Sequence, residues 1–417
     1  MSDFTTAEYY QRIARTLEAG KFHLAFFDDR LAMPSSFGGT HAQSVRYGIR
    51  AVKLDAATVL TTMGCVTNRL GLGATYSTTY FEPFHVARVF ATLDALFGGR
   101  AAWNVVTSLN DAEAANFGRA EHLPHDLRYD RAEEFMEIVT GHWDAWDSGA
   151  LSLDKEHGLF ADPAKVHRLD YTGTYLRSRG PFTVPRSPQG RPVIIQAGQS
   201  GRGRAFAARW AELLFVIYPT MAAAARGYRD VKAAVAGAGR DPAHVKVAPA
   251  VYVVPGETRS EAEAKLAALE ALARPEDALE LLSEVLNFDF ATKAVDAPFT
   301  QPELDAMTGL RAIVDRVVEL SGTPNPTVAD FIRFSGRGTL REFPIFVGSP
   351  REIADEMEAW LAAEACDGFV ISATHVPGAY EDFVRLVVPE LQRRGLFRRD
   401  YAGPTLRENL GVPLPTP

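Results

Sequence analysis

The run RPVIIQAGQSGRGRAFAARWA, Arg191 to Ala211, joins features that together can hold an anion. An apolar strand, Pro192 to Ala197, enters a glycine-rich turn carrying Ser200 and Gly201, and the turn enters an apolar helix. A helix N-terminus presents unpaired backbone N–H groups and the positive end of the helix dipole. Glycines allow close approach and the Ser200 hydroxyl adds a donor, which suits a phosphate. A tight turn capping a helix needs the same residues, so the motif alone leaves both readings open. Other polar residues stand where other strands end. FHLAFFDD closes on Asp28 and Asp29, alternation in LGLGATYSTT puts Thr75, Ser77 and Thr79 on one face, and AAWNVVTS carries Asn104, Thr107 and Ser108. His125 and Tyr129 are spaced i, i+4 at a helix start, so both side chains can point back over the same region. Each has a plain alternative. Asp29 can cap a strand end, Thr75 can be a β-former, Asn104 a turn residue, and His125 with Asp126 a helix N-terminal motif. Their recurrence on successive strand ends favours a shared pocket.

The elements that would position these groups alternate along the chain. A helix capped by Thr5 or Thr6 runs to about Glu18 and Gly20 ends it. Seven apolar runs then read as strands, starting near residues 22, 70, 101, 192, 213, 245 and 368 and each separated from the next by helix. Near-continuous apolar strands alternating with helices indicate a parallel sheet covered by helices, and the repeat count points to a TIM (β/α)8 barrel. A doubly wound sheet would more often stop earlier, and the glycine fingerprint expected after its first strand is missing. Residues 147–190 and 274–343 read as insertions into a single barrel spanning 1–417, the second mostly helical. A barrel needs one strand more than the seven found, and the deficit falls at the front, where a helix begins close to Met1. The expectation is a first strand carried by the natural protein or its ancestor upstream of this sequence, with an open edge between the strands at 22 and 368 in its absence.

Composition narrows the function classes. A chain of 417 residues with 47% hydrophobic and 23% charged residues is long enough for one large α/β domain. Its net charge of -8, spread without long runs, argues against a nucleic-acid or anionic-membrane partner. No apolar run reaches membrane-spanning length and the start, MSDFTTAEYYQ, lacks the features of a secretory signal. Cys65 and Cys366 have no metal-ligand spacing and are expected as buried, reduced thiols, which fits a cytoplasmic protein.

The segments HVARVFATLDALFGGRAAWNVVTSLNDAEAANFG, HDLRYDRAEEF, FADPAKVH and PRSPQGRPVIIQAGQSGRGRAFA closely resemble the nitrilotriacetate and dibenzothiophene-sulfone monooxygenases of the bacterial luciferase-like superfamily. The resemblance runs from the first helix to TLRENLG, Thr405 to Gly411. It implies a TIM barrel binding FMN, received as FMNH2 from a separate NAD(P)H:flavin reductase. It also implies O2 as the oxidant, a small organosulfur, organonitrogen or aromatic substrate that is oxygenated and cleaved, and assembly as a homodimer or homotetramer. By motif position it places Asp29 and Thr75 along the flavin and Thr75 with Asn104 as the catalytic pair at its oxygen-reactive edge. His125, Tyr129 and Ser200 would hold the ribityl phosphate, with a backbone N–H from Gly201. Such a site has hydrogen-bond donors near the oxygen chemistry and otherwise excludes water, the cofactor supplying the redox step. Members of that family begin with an apolar strand upstream of the first helix, and this sequence departs from them there.

The second insertion is expected to fold over the barrel mouth as a lid, where Phe288, Phe290, Phe331 and Phe334 either cover substrate or pack the insertion. Arg337 and Arg341 read as solvated surface arginines, with an anionic substrate or the phosphate as the alternative. Two other readings stand beside the monooxygenase: an F420-dependent oxidoreductase of the same superfamily, which transfers hydride without O2, and an inactive flavin-binding remnant.

Overall fold

Period-two alternation on a set of parallel strands decides which residues line the barrel and which face its helices. The computed structural model describes residues 3–198 and 201–415. Eight parallel strands share one sheet. They are β1 (Leu24–Phe27), β2 (Gly71–Ser77), β3 (Ala101–Val106), β4 (Val193–Gln196), β5 (Leu213–Val216), β6 (Lys246–Pro255), β7 (Ile345–Gly348) and β8 (Val370–Ser372). Pairing runs from β1 through β6 in order; β6 then meets β8 along Ala250–Tyr252 and β7 along Tyr252–Pro255.

All seven strands expected from the sequence are present, and the count is corrected to eight by β7. This strand is only IFVG, squeezed between the second insertion and the helix Pro350–Ala362, too short for a periodic signal. It does not fill the front of the barrel, because its partner is β6. Among the described residues no ladder joins β1 to β8.

On β3, Ala101, Trp103 and Val105 face the helices, and Ala102 faces the interior with Val193 and Ile195 of β4. Trp103 is fully buried against Phe90, Phe135 and Trp143, and its indole N–H donates to the Tyr76 carbonyl at 3.1 Å. The same parity turns Thr75 of β2 and Asn104 of β3 inward as register partners. Gly73, one layer below, is required by space: a Cβ there would lie 2.9 Å from that of Phe26. Phe26 uses that room to cross the interior and meet Phe215 edge to face at 5.8 Å.

The opposite end of the barrel is stoppered by the C-terminal helix Leu406–Leu410. Thr405 and Glu408 form its capping box, and Leu406 packs with Ala102, Val193 and Ile195. Next to it Arg407, only 1% exposed, pairs with Glu212 and donates to the carbonyls of Arg191 and Pro413.

Residues 147–190 hold two short antiparallel pairs, Leu151–Asp154 with Leu159–Ala161 and Tyr171–Thr172 with Arg177–Ser178. Residues 274–343 hold four α-helices, of which the first, Pro275–Leu286, is called αL1 below. Their apolar faces form a core of their own. Phe290 and Phe331 are fully buried in it, so the packing role holds for both; Phe288 and Phe334 lie partly buried against it. Cys65, expected to be buried, is exposed at the C-cap of the helix Ala56–Gly64, whereas Cys366 is buried. The apolar neighbours of Cys65 in sequence lie on the other faces of that helix. No described helix is long and apolar enough to cross a membrane.

Candidate active site

At the C-terminal ends of β1, β2 and β3 the inward polar residues form one chain of hydrogen bonds. The Thr75 hydroxyl donates to the Phe27 carbonyl at 2.7 Å, and the Asn104 amide donates to the Thr75 oxygen at 2.8 Å. Both side chains are buried. Because Thr75 spends its only proton on Phe27, its oxygen must accept from Asn104, which fixes the amide with Nδ2 toward Thr75. The Asn104 carbonyl oxygen is then left buried without a partner. An orphaned acceptor of this kind is costly unless a donor arrives from outside the protein.

Above this pair the strand ends are laced together. Ser108, with φ of 58°, donates to the Ser77 hydroxyl at 2.9 Å, and Thr79 donates to the Thr107 carbonyl at 2.7 Å. Ser77 and Thr79, which alternation puts on the Thr75 face, thus tie the end of β2 to the end of β3. The helix His125–Trp143 is tied to the same rim by Arg128, which donates to the Ser108 carbonyl, and Arg131, which donates to the Thr78 carbonyl. Neither arginine was singled out in the sequence; three residues apart, they share a helix face beside the one that His125 and Tyr129 define.

Asp29 lies two residues beyond Phe27, its carboxylate accepting from the Arg30 backbone N–H at 2.8 Å. Burial raises its carboxyl to about 6, against the pull of that N–H and of Lys53 toward the ionised form. Asp28, beside it, is held below the usual carboxylate range mainly by Lys53, whose ammonium sits 2.5 Å away, although burial opposes the shift.

His125 and Tyr129 come together at the start of their helix, ring centroids 5.1 Å apart, and Tyr129 packs edge to face on Phe206 at 5.7 Å. Phe206 belongs to the helix Gly201–Trp210, whose first residue is the expected Gly201. The His125 imidazole is exposed and bonded to Asp126 at 3.0 Å, so the plain helix-start motif also holds. Gly198 needs to be glycine here: a Cβ would lie 2.9 Å from the Gly203 Cα, where turn and helix fold together. Ser200 lies outside the described residues. Arg341 is exposed, as expected, but Arg337 is buried and paired with Glu342, which corrects its reading as a solvated surface residue.

Two groupings therefore exist on the barrel's C-terminal face. Thr75 and Asn104 sit inside the barrel with Asp29 close by in sequence, and His125, Tyr129 and the start of the Gly201 helix sit on its rim. The first offers a buried acceptor beside a buried hydroxyl, and the second offers an imidazole and helix N–H groups open to solvent.

Comparison with known proteins places the chain among relatives. The sequence profile described as luciferase-like monooxygenase matches residues 2–365. The chain is similar to dibenzothiophene-sulfone monooxygenase of Rhodococcus erythropolis, 48% identical over 99% of this chain and 92% of that protein. It is also similar to nitrilotriacetate monooxygenase component A of Aminobacter aminovorans, 41% identical over 99% of this chain and 91% of that protein. Among solved structures it is similar to riboflavin lyase with modified FMN and riboflavin, with a TM-score of 0.88 and 32% identity over 98% of this chain and 90% of that one.

Proposed function

Starting from the membership of this chain in the luciferase-like monooxygenase family, we propose that it is the oxygenase of a two-component system that uses FMNH2 and O2. A small organosulfur, organonitrogen or aromatic compound would be oxygenated and cleaved. The observation that carries this reading is the Asn104 carbonyl oxygen, buried and unpartnered beside the Thr75 hydroxyl inside the barrel. The residues present fit a flavin: a reduced isoalloxazine carries ring N–H donors for that acceptor, and the rim around His125, Tyr129 and Gly201 supplies donors for a phosphate.

When bound, FMNH2 supplies the two electrons that activate O2. The protein's share is positional and electrostatic. Thr75 and Asn104, locked to the β1 backbone through Phe27, hold the ring edge in one register. The Thr75 oxygen and the Asn104 amide are buried dipoles already fixed by hydrogen bonds, so they would need no rearrangement to stabilise charge beside them. Asp29, with its carboxyl near 6, can accept or release a proton close to neutral pH at the same strand end.

A separate NAD(P)H:flavin reductase is the partner this chemistry requires, with cytoplasmic location and a homodimer or homotetramer as parts of the same proposal. Oxygen uptake tests it. Purified chain with FMN, NADH and a flavin reductase is expected to form oxygenated product from a substrate panel. Turnover with reduced F420 and no O2 uptake would instead identify a hydride-transferring oxidoreductase. Anaerobic titration with FMNH2 separates both from a chain that binds flavin without turnover.

A further inference from the structure

Beyond Asp29 the chain places two guanidinium groups against one buried carboxylate, with a third within their electrostatic reach. Arg30 directs Nη1 to Glu284 at 3.6 Å, and Arg50 directs its own Nη1 to the other oxygen of Glu284 at 3.8 Å. Both distances are ion-pair separations too long for a hydrogen bond. Neither guanidinium makes a hydrogen bond to any described residue, yet the Arg30 side chain is only 19% exposed and that of Arg50 35%. The third group, Arg337, is 10% exposed, pairs with Glu342, and feels the charges of Arg50, Arg30 and Glu284.

The surrounding groups do not absorb these donors. Asp28 is engaged by Lys53. Glu280, one turn before Glu284 on αL1, is bound to the Ser44 hydroxyl at 2.6 Å, while Ser44 also contacts the Pro34 carbonyl at 3.0 Å. The Ser44 hydroxyl occupies Glu280, and burial raises the Glu280 carboxyl above the ordinary range although that hydrogen bond opposes it. Asn110 donates its amide to Glu284 at 3.1 Å. Two carboxylates, Glu284 and Glu342, thus face three guanidiniums with five donors each.

Arg337 is built into place. It sits between Gly336 and Gly338, at φ of 79° and 70°, and a Cβ on Gly338 would lie 2.7 Å from the Ala278 backbone nitrogen at the start of αL1. The turn can therefore seat against αL1 only with glycine there. Tyr252 of β6 stands nearby, its ring 5.0 Å from that of Phe343 and tilted by 34°, and under the influence of Arg337 and Arg50, which supplies an aromatic wall. Arg30 is three residues from Phe27, the residue that anchors Thr75, hence within about 11 Å of it along the chain.

We propose that Arg30, Arg50 and Arg337 form the subsite that receives the anionic end of the substrate, an organic acid bearing a carboxylate or sulfur oxyacid group. A carboxylate or sulfonate accepts two N–H groups from one guanidinium at once, and guanidinium N–H groups left without a hydrogen-bond acceptor, as on Arg30 and Arg50, are stabilised by it. This rests on the oxygenase reading of the barrel mouth and selects, within it, charged over neutral substrates.

The test measures binding under anaerobic conditions, with FMN affinity titrated separately so that loss of flavin binding is read independently. Benzoate and benzenesulfonate are compared with benzamide by calorimetry, with and without FMN. The acids are expected to bind at least about tenfold more tightly than the amide. Arg50→Gln and Arg337→Gln are expected to abolish most of that preference, with Arg50→Lys retaining part of it. Melting temperatures identify a variant that fails to fold, and Arg50→Gln, at a partly exposed position, then carries the test. Equal binding of acid and amide, no binding of either, or a preference unchanged in Arg50→Gln would overturn the proposal. So would Arg50→Gln weakening FMN but not riboflavin, which would assign the arginines to the flavin phosphate.

Discussion

The Asn104 amide donates to the Thr75 hydroxyl oxygen at 2.8 Å, and this contact joins β3 to β2 at the layer where the barrel interior turns polar. Removing either partner strands the other in a buried place. Thr75→Val is expected to cost about 1–3 kcal/mol of stability, the price of an unpaired buried group. It should also lower kcat by about a hundredfold or more if the pair acts on developing charge. Thr75→Ser retains the hydroxyl and should keep most activity. Steady-state oxygen uptake beside urea unfolding separates the two effects.

Asp29 and Asp94 both have carboxyls raised by burial to about 6, from an ordinary 3.8. A raised carboxyl means the folded state binds more protons than the unfolded one between those values. Stability therefore falls as pH rises from about 4 to 6 and the penalty is fully present above that window. Asp29→Asn is expected to flatten the fall in melting temperature across this window, and to remove any ionisation near 6 from the kcat/KM profile. Asp94 hydrogen-bonds Ser187, Gln189 and the Ala101 backbone, so Asp94→Asn should flatten the stability profile without moving the kinetic ionisation.

His125 and Tyr129, with centroids 5.1 Å apart beside the Gly201 helix, are expected to act on the phosphate and not on the ring. His125→Ala should weaken FMN by roughly tenfold while leaving riboflavin unchanged, since one hydrogen bond to a charged group contributes about 1.5–3 kcal/mol before solvent screening. Fluorescence titration with both flavins measures it; equal losses for the two would assign His125 elsewhere.

Arg407 holds the stopper at the far end of the barrel. Arg407→Met leaves Glu212 buried without its cation and is expected to destabilise the chain by about 3–5 kcal/mol. A thermal unfolding scan at pH 7 reads this, and flavin affinity at temperatures where the variant stays folded should change little.

Much of this protein was written in local patterns. Seven strands and the helices between them show as apolar runs, because a strand buried on both faces and an amphipathic helix each leave a periodic trace over adjacent residues. Thr75 and Asn104 were legible for the same reason, since parity on a strand tells which residues share a face. What only the folded chain decided involves residues far apart or too few to form a pattern. β7 has four residues and no period. Whether Cys65 faces solvent depends on which side of its helix the barrel covers. Arg50, in the loop after β1, meets Glu284 of the second insertion, and Arg337 turns inward where Gly338 seats its turn on αL1. Such meetings are set by how the insertion packs on the barrel, a free-energy balance among distant surfaces that no spacing along the chain encodes.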